Sequence, residues 1–311
     1  MGKRIQMTKN DGVKTLKELY DDFEKNCRIR NLSSETIKYY QNCYHILCNY
    51  KPEVYLDEIN NEFVRDYILY LQQTMKPTSV NCQLRGLRSI CNHAFDLGLM
   101  PKLIIKQLKY DKEVRETYTE EQIKKLIKKP NLKKCGFVEY RNWVIVSWFI
   151  ATGNRIGTVL EIKIKDVDLA NQLVVLRHNK NRNQNIIPLC SSICKILSEY
   201  LQYRKGEADD YLFCAMDGSR LSKRSLQCSI QKYNRDRGVS IASCHAFRRY
   251  FAKQCVLNGV DIFTLQKLGN WKSLDVVKNY INIYATDIKN YDSFNPFQTL
   301  YSDNNRLKMT K

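Results

Sequence analysis

The chain has 311 residues, a length suited to about two domains, and at 43% hydrophobic and 27% charged it is core-forming material rather than a disordered polyelectrolyte. Against 32 Asp and Glu stand 51 Lys and Arg, a formal net charge of +19, which calls for a polyanionic partner: nucleic acid first, an anionic membrane surface second. The longest apolar run, WVIVSWFIA from Trp143 to Ala151, is far too short to span a bilayer, which takes roughly 20 residues, and the twelve cysteines include no CxxC pair or zinc spacing.

The N-terminus, MGKRIQMTKNDG, lacks an apolar signal core. The cysteines therefore read as reduced, mostly buried thiols of a cytoplasmic protein. After a polar tail over 1–12, residues 13–105 read as helical throughout. A capping box from Thr15 to Glu18 opens the first helix, with Leu16, Leu19, Tyr20 and Phe23 on one face. A second helix starts behind Ser33 or Ser34. A third carries Phe63, Tyr67, Ile68 and Leu71 on one stripe. A fourth follows Pro77, with Leu84, Leu87, Cys91, Ala94 and Phe95 as its apolar side. Arg85 and Arg88 project elsewhere on that helix, near Lys76 and Thr78. These four are candidates for phosphate contact, although a solvated helix face is the plainer reading.

Residues 106–118, KQLKYDKEVRETY, are charged and aperiodic and read as a linker. A second capping box, Thr119 to Gln122, opens a further domain over 119–291. Its apolar run reads as a core helix. LEIKIKDVDL, QLVVLR and NIIPL then read as three short strands, the last two forming a hairpin around HNKNRNQ. Helices resume to the end of the domain, and a polar tail over 292–311 carries a small apolar patch at Phe294, Phe297, Leu300 and Tyr301. The fold class expected is mainly α with a small antiparallel β-sheet.

Four segments of the second domain carry residues with chemistry. In ATGNRIGTVLEIKIKDVDL, Thr152 and Gly153 break the core helix and Arg155 follows; a buried guanidinium needs an anion, and Glu161 or Asp166 could supply it. Lys180 lies near the tip of the hairpin turn. SCHAFRRYFAKQ places His245 and Arg248 three residues apart, hence on one helix face, with no carboxylate between them. LGNWKSLDVVKNYINIY places Tyr280 nine residues after Trp271.

In this order the segments resemble the catalytic domain of the tyrosine recombinases, the phage-integrase superfamily. Arg155 matches the Arg of the ATG-x-R-I box, Lys180 the hairpin lysine, His245 and Arg248 the H-x-x-R box, Trp271 the His/Trp position and Tyr280 the nucleophile. The helical N-terminal region resembles the family's core-binding domain. Two features depart from the pattern: Thr158 stands where the family usually has an acid, and the small turn reads LGNW rather than LGH. Tyr284 is the rival nucleophile.

The resemblance implies site-specific cleavage and rejoining of double-stranded DNA through a 3′-phosphotyrosyl bond. It implies no cofactor and no metal. It also implies a homotetramer on DNA in the synaptic complex, a nucleoid-associated cytoplasmic location, and in some systems an accessory DNA-bending or directionality factor. Lys223, Arg224 and Arg249 join the candidate DNA contacts. A type IB topoisomerase and a DNA-binding regulator with a decayed site are the alternatives.

Overall fold

The computed structural model describes residues 14–111, 117–177 and 185–278. The chain divides into two compact units, one ending at Glu113 and the other beginning at Val114.

The first unit is a helical bundle. Helix α1 (Leu16–Ile29) starts on a reciprocal cap: the Thr15 amide donates to the Glu18 carboxylate at 3.0 Å and the Glu18 amide to the Thr15 hydroxyl at 3.3 Å. Ser33 caps α2 (Ser34–Tyr50), and Asn60 caps α3 (Asn61–Gln72). Helix α4 (Pro77–Asp96) begins on proline, whose missing N–H costs nothing in the first turn. The buried stripes of the four meet in one core that includes Leu19, Leu47, Tyr67, Leu71 and Leu84. At Gly86 a Cβ would lie 2.4 Å from Cys43 Sγ, so α2 and α4 approach there at a separation only glycine allows.

Phe95 departs from its expected place on the apolar side of α4. It is 42% exposed, with the Lys102 ammonium over its ring, while its neighbour Ala94, about 100° round the helix, is buried. The extended chain after α4 is tied back to that helix. Asn81 donates to the Leu108 carbonyl at 2.9 Å and accepts from the Leu108 amide at 2.7 Å, and the Arg88 guanidinium donates to the Ile105 carbonyl.

The second unit is built round one helix. A capping box at Thr119 opens α5 (Glu120–Leu126). Helix α6 (Phe137–Thr152) follows, and its Val144, Ile145, Val146, Trp148 and Phe149 are at most 1% exposed. It has no polar face, as expected of a helix packed on all sides. After α7 (Ile156–Val159) come β1 (Val167–Asp168), β2 (Leu173–Leu176) and β3 (Asn185–Pro188), an antiparallel sheet in the order β1-β2-β3. Helices α8 (Ser191–Arg204), α9 (Lys223–Arg235) and α10 (Cys244–Leu257) pack on α6, and α11 (Ile262–Gly269) and α12 (Leu274–Lys278) close the described residues.

The strand expected over LEIKIKDVDL shrinks to the two residues of β1. Its alternation is real, but its backbone bonds go elsewhere. The Ile164 amide donates to the Asp210 carbonyl at 2.9 Å and the Leu212 amide to the Ile162 carbonyl at 2.8 Å. The Asp166 carboxylate accepts the Lys163 amide at 2.9 Å and folds residues 164–166 into a 3-10 turn.

Asn81→Ala removes both side-chain bonds to Leu108 and leaves that residue's amide and carbonyl without them, a loss of about 1–3 kcal/mol. The Leu108 amide is expected to exchange with solvent markedly faster in the variant, read by hydrogen exchange, while the buried α4 amides near Leu84 keep their protection. Unchanged exchange at Leu108 would show that the clamp does not hold the segment.

Candidate functional site

The site starts where α6 stops. The Thr152 hydroxyl donates back to the Trp148 carbonyl at 2.8 Å, and Gly153 turns the chain at φ 61°. Glycine is required there twice over: the left-handed backbone disfavours a side chain, and a Cβ would lie 2.3 Å from the Phe251 ring. The turn sets half-buried Arg155 at the N-cap of α7.

Helix α10 brings His245 and Arg248 to the same place. Arg248 is 1% exposed, donating from Nη1 to the Gly153 carbonyl at 2.7 Å and from Nη2 to the Gly269 carbonyl at 2.6 Å. Its Cζ stands 3.9 Å from the centroid of the Trp271 ring, a cation–π contact away from water. One guanidinium thus ties the end of α6 to the end of α11. Helix α11 finishes at Asn270, in the left-handed conformation at φ 50°, which points its carbonyl at Arg155; Arg155 Nη1 donates to it at 3.2 Å.

Neither carboxylate expected to neutralise Arg155 does so. Glu161 pairs with Arg220, and Asp166 with Arg177. Among the described residues no carboxylate pairs with Arg155. The cationic field registers on His245. Although that residue is exposed on one side, protein crowding about its ring and the charges of Arg248, Arg249, Arg155 and Lys223 push its pKa below the usual histidine range.

Trp271 is 3% exposed and serves as the floor under Arg248. Arg249 is half-buried, and Lys223 and Arg224 are exposed in the first turn of α9. Thr158 is buried, its amide donating to the Arg155 carbonyl at 2.9 Å. Lys180 and Tyr280 lie outside the described residues. In the first unit Lys76, Thr78 and Arg85 are exposed at and after the start of α4, whereas Arg88 is engaged with Ile105.

Sequence reasoning missed the residues that place these groups. A Cβ on Gly269 would lie 1.7 Å from the Trp271 ring, so the indole folds over bare backbone. Gln266 holds Trp271 from both sides: its carbonyl accepts the Trp271 amide at 3.1 Å and its Nε2 donates to the Trp271 carbonyl at 3.1 Å. The glycine of LGNW was the available signal; nothing in the sequence marks Gln266 or Phe251.

A unit with arginines and histidine at the meeting ends of three helices, in a chain whose other unit is a helical bundle, matches known proteins. Residues 116–286 match the model of the phage integrase family, and residues 15–111 that of the phage integrase SAM-like domain. The chain belongs to the phage integrase family, the tyrosine recombinases, which are DNA breaking and rejoining enzymes. The tyrosine recombinase XerC of Lactobacillus leichmannii is 26% identical over 237 residues, covering 73% of this chain and 79% of the relative. Among solved structures, the Tn1549 transposon integrase in complex with transposon right end DNA superposes with a TM-score of 0.72 at 17% identity, covering 88% of this chain and 97% of that one. A lambda integrase tetramer bound to a Holliday junction does so with a TM-score of 0.71 at 16% identity, over 88% and 78% of the two chains. Among the described residues no helix is long and apolar enough to cross a membrane.

The depressed pKa makes His245 neutral at pH 7 in the free protein. An anion entering among its cationic neighbours offsets their repulsion and raises the pKa. Titration of its ring resonances by NMR is expected to give a midpoint below 6.5 for the protein alone and a higher one with duplex DNA bound. A midpoint above 6.5 in the free protein would contradict the electrostatics described.

Proposed function

We propose that this chain recombines DNA between specific sites, using Tyr280 as the nucleophile and Arg155, Lys180, His245, Arg248 and Trp271 as the groups that serve it. The observation that carries the reading is the convergence of Arg155, Arg248 and His245 on one spot at the ends of α6, α10 and α11. A phosphodiester is the anion such a cluster suits, because its non-bridging oxygens gain charge as an in-line nucleophile arrives, and guanidiniums match that geometry better than ammoniums.

The reaction balances without a metal or ATP. The Tyr280 oxygen forms a bond to phosphorus and its phenol proton passes to the neutral His245 imidazole. The bond from phosphorus to the 5′-oxygen breaks, and Lys180 protonates that leaving oxygen. The phosphotyrosyl bond conserves the energy of the original one, so a 5′-hydroxyl of another strand reverses the step and rejoins the DNA. Trp271 supports Arg248 from beneath rather than reaching for the phosphate.

In this reading residues 13–105 form the core-binding domain, residues 119–291 the catalytic domain, and 106–118 the linker. Lys76, Thr78, Arg85, Lys223, Arg224 and Arg249 contact DNA backbone, with Arg88 shared between that task and its bond to Ile105. Four copies act together in synapsis, as the lambda integrase of the solved tetramer does on its junction, and the apolar patch of the 292–311 tail serves to dock on a neighbouring copy or on its own domain. The exchange integrates and excises a mobile element or resolves joined replicons, according to how the sites are arranged.

The test is covalent capture on a nicked duplex carrying the recombination site, resolved on a denaturing gel. Wild type is expected to give a protein–DNA adduct and Tyr280→Phe none. Arg248→Ala is expected to lower adduct formation by about 100-fold or more while DNA affinity stays within about tenfold, a difference of some 1.4 kcal/mol. An adduct from Tyr280→Phe, or full activity in Arg248→Ala, would overturn the assignment.

A further inference from the structure

A second concentration of positive charge sits at the end of α6 remote from Arg155. A cleft of about 620 Å³ opens between the end of α5, the first turns of α6 and the second half of α9. Lys125, Lys128, Lys129, Lys232 and Arg237 line it, opposed by Glu139 and Asp236. Two of the cations are already committed, Lys129 to Glu199 at 2.6 Å and Arg237 to Glu139 at 2.8 Å. Lys125, Lys128 and Lys232 have no carboxylate partner among the described residues.

An independent feature lies behind the cleft floor. Arg141 is 3% exposed, yet every bond it makes goes to a neutral group. Nη1 donates to the Cys214 carbonyl at 2.8 Å; Nε and Nη2 donate to Asn142 Oδ1 at 3.3 and 3.0 Å, and Nη2 also to Ser229 Oγ at 3.3 Å. Asn142 and Ser229 are themselves cleft-lining residues, joined to each other at 2.6 Å. A buried cation answered only by dipoles is costly until an anion comes near, and these two side chains stand between that cation and the open cleft.

We propose that this cleft docks an acidic segment of a partner protein, one that presents carboxylates together with an apolar side chain. Three observations select that occupant. The lining is mixed: half-buried Val138, backed by the buried Pro130 and Tyr233, gives it an apolar share that a naked phosphate chain would not use. Glu139 and Asp236 within the same lining repel a dense polyphosphate more than a peptide of spaced charges. The position also separates the cleft from the DNA-cutting end. From Asn142, the last α6 residue of the lining, about 16 Å of helix runs to Gly153, and α9 carries Lys223 near His245 at one end and Lys232 on the cleft at the other, with Arg237 just past its end.

The test uses the full chain saturated with duplex DNA, so that the Arg155 and Arg248 cluster is occupied. The probe is a short fluorescein-labelled glutamate-rich peptide with a central leucine, read by anisotropy. The variant Lys125→Glu, Lys128→Glu, Lys232→Glu is expected to bind it at least roughly tenfold more weakly, with duplex DNA affinity and adduct formation unchanged. Lys232→Glu alone, at an exposed position of α9, is expected to show part of that loss and keeps the test decisive if the triple variant does not fold. Unchanged peptide binding in both variants would overturn the proposal. So would an equal loss of duplex affinity, which would make the cleft a DNA surface, or displacement of the peptide by inorganic tripolyphosphate at lower concentration than by the unlabelled peptide. Peptide binding is read without reference to cleavage, so its failure is distinct from failure of the recombinase assignment.

Discussion

The Arg248 guanidinium is the contact on which the site depends. It sits almost wholly out of water, and its two arms end on the carbonyls of Gly153 and Gly269. Those carbonyls belong to the ends of α6 and α11, both of which also pack on α10. Such charge-assisted bonds are short and strong in a low-dielectric setting. The stack on Trp271 fixes the plane of the guanidinium. Arg155 is then positioned by the same two turns, since it springs from the Gly153 bend and donates to the carbonyl of Asn270. One buried cation therefore orders a second one.

Glycine makes this arrangement possible, and in two different ways. Gly153 supplies a left-handed bend and leaves room for Phe251, while Gly269 gives the Trp271 indole backbone to lie on. Their effect is to let aromatic rings close over the two helix ends, and the rings exclude water from the charge they surround. The depressed pKa of His245 follows first from the burial of its ring and then from that concentration of charge. It leaves the imidazole neutral at the pH where a phenol proton needs an acceptor.

Much of this was legible in the sequence because the features are local. Thr15 with Glu18 and Thr119 with Gln122 mark helix starts by chemistry confined to one turn, and both caps form. The three-residue spacing of His245 and Arg248 puts both on one stretch of α10. Partners far apart in the chain were not legible. Alternation alone made residues 160–169 look like one strand, whereas the hydrogen bonds of residues 162–165 go to residues 208–212 and only residues 167–168 pair with β2. The carboxylates nearest Arg155 in sequence proved to serve Arg220 and Arg177, and the stacking of Trp271 on Arg248 joins residues 23 positions apart. Gln266 and Phe251 act through backbone and ring contacts that no spacing rule announces.

The central claim is that the buried arginine cluster and Tyr280 form one phosphoryl-transfer centre. Its most direct measurement is the chemical identity of the residue bonded to DNA after reaction with a nicked substrate. Nuclease and protease digestion of the adduct followed by fragmentation mass spectrometry locates the nucleotide. The account predicts that the nucleotide is on Tyr280. A nucleotide on Tyr284 or on any serine would contradict it.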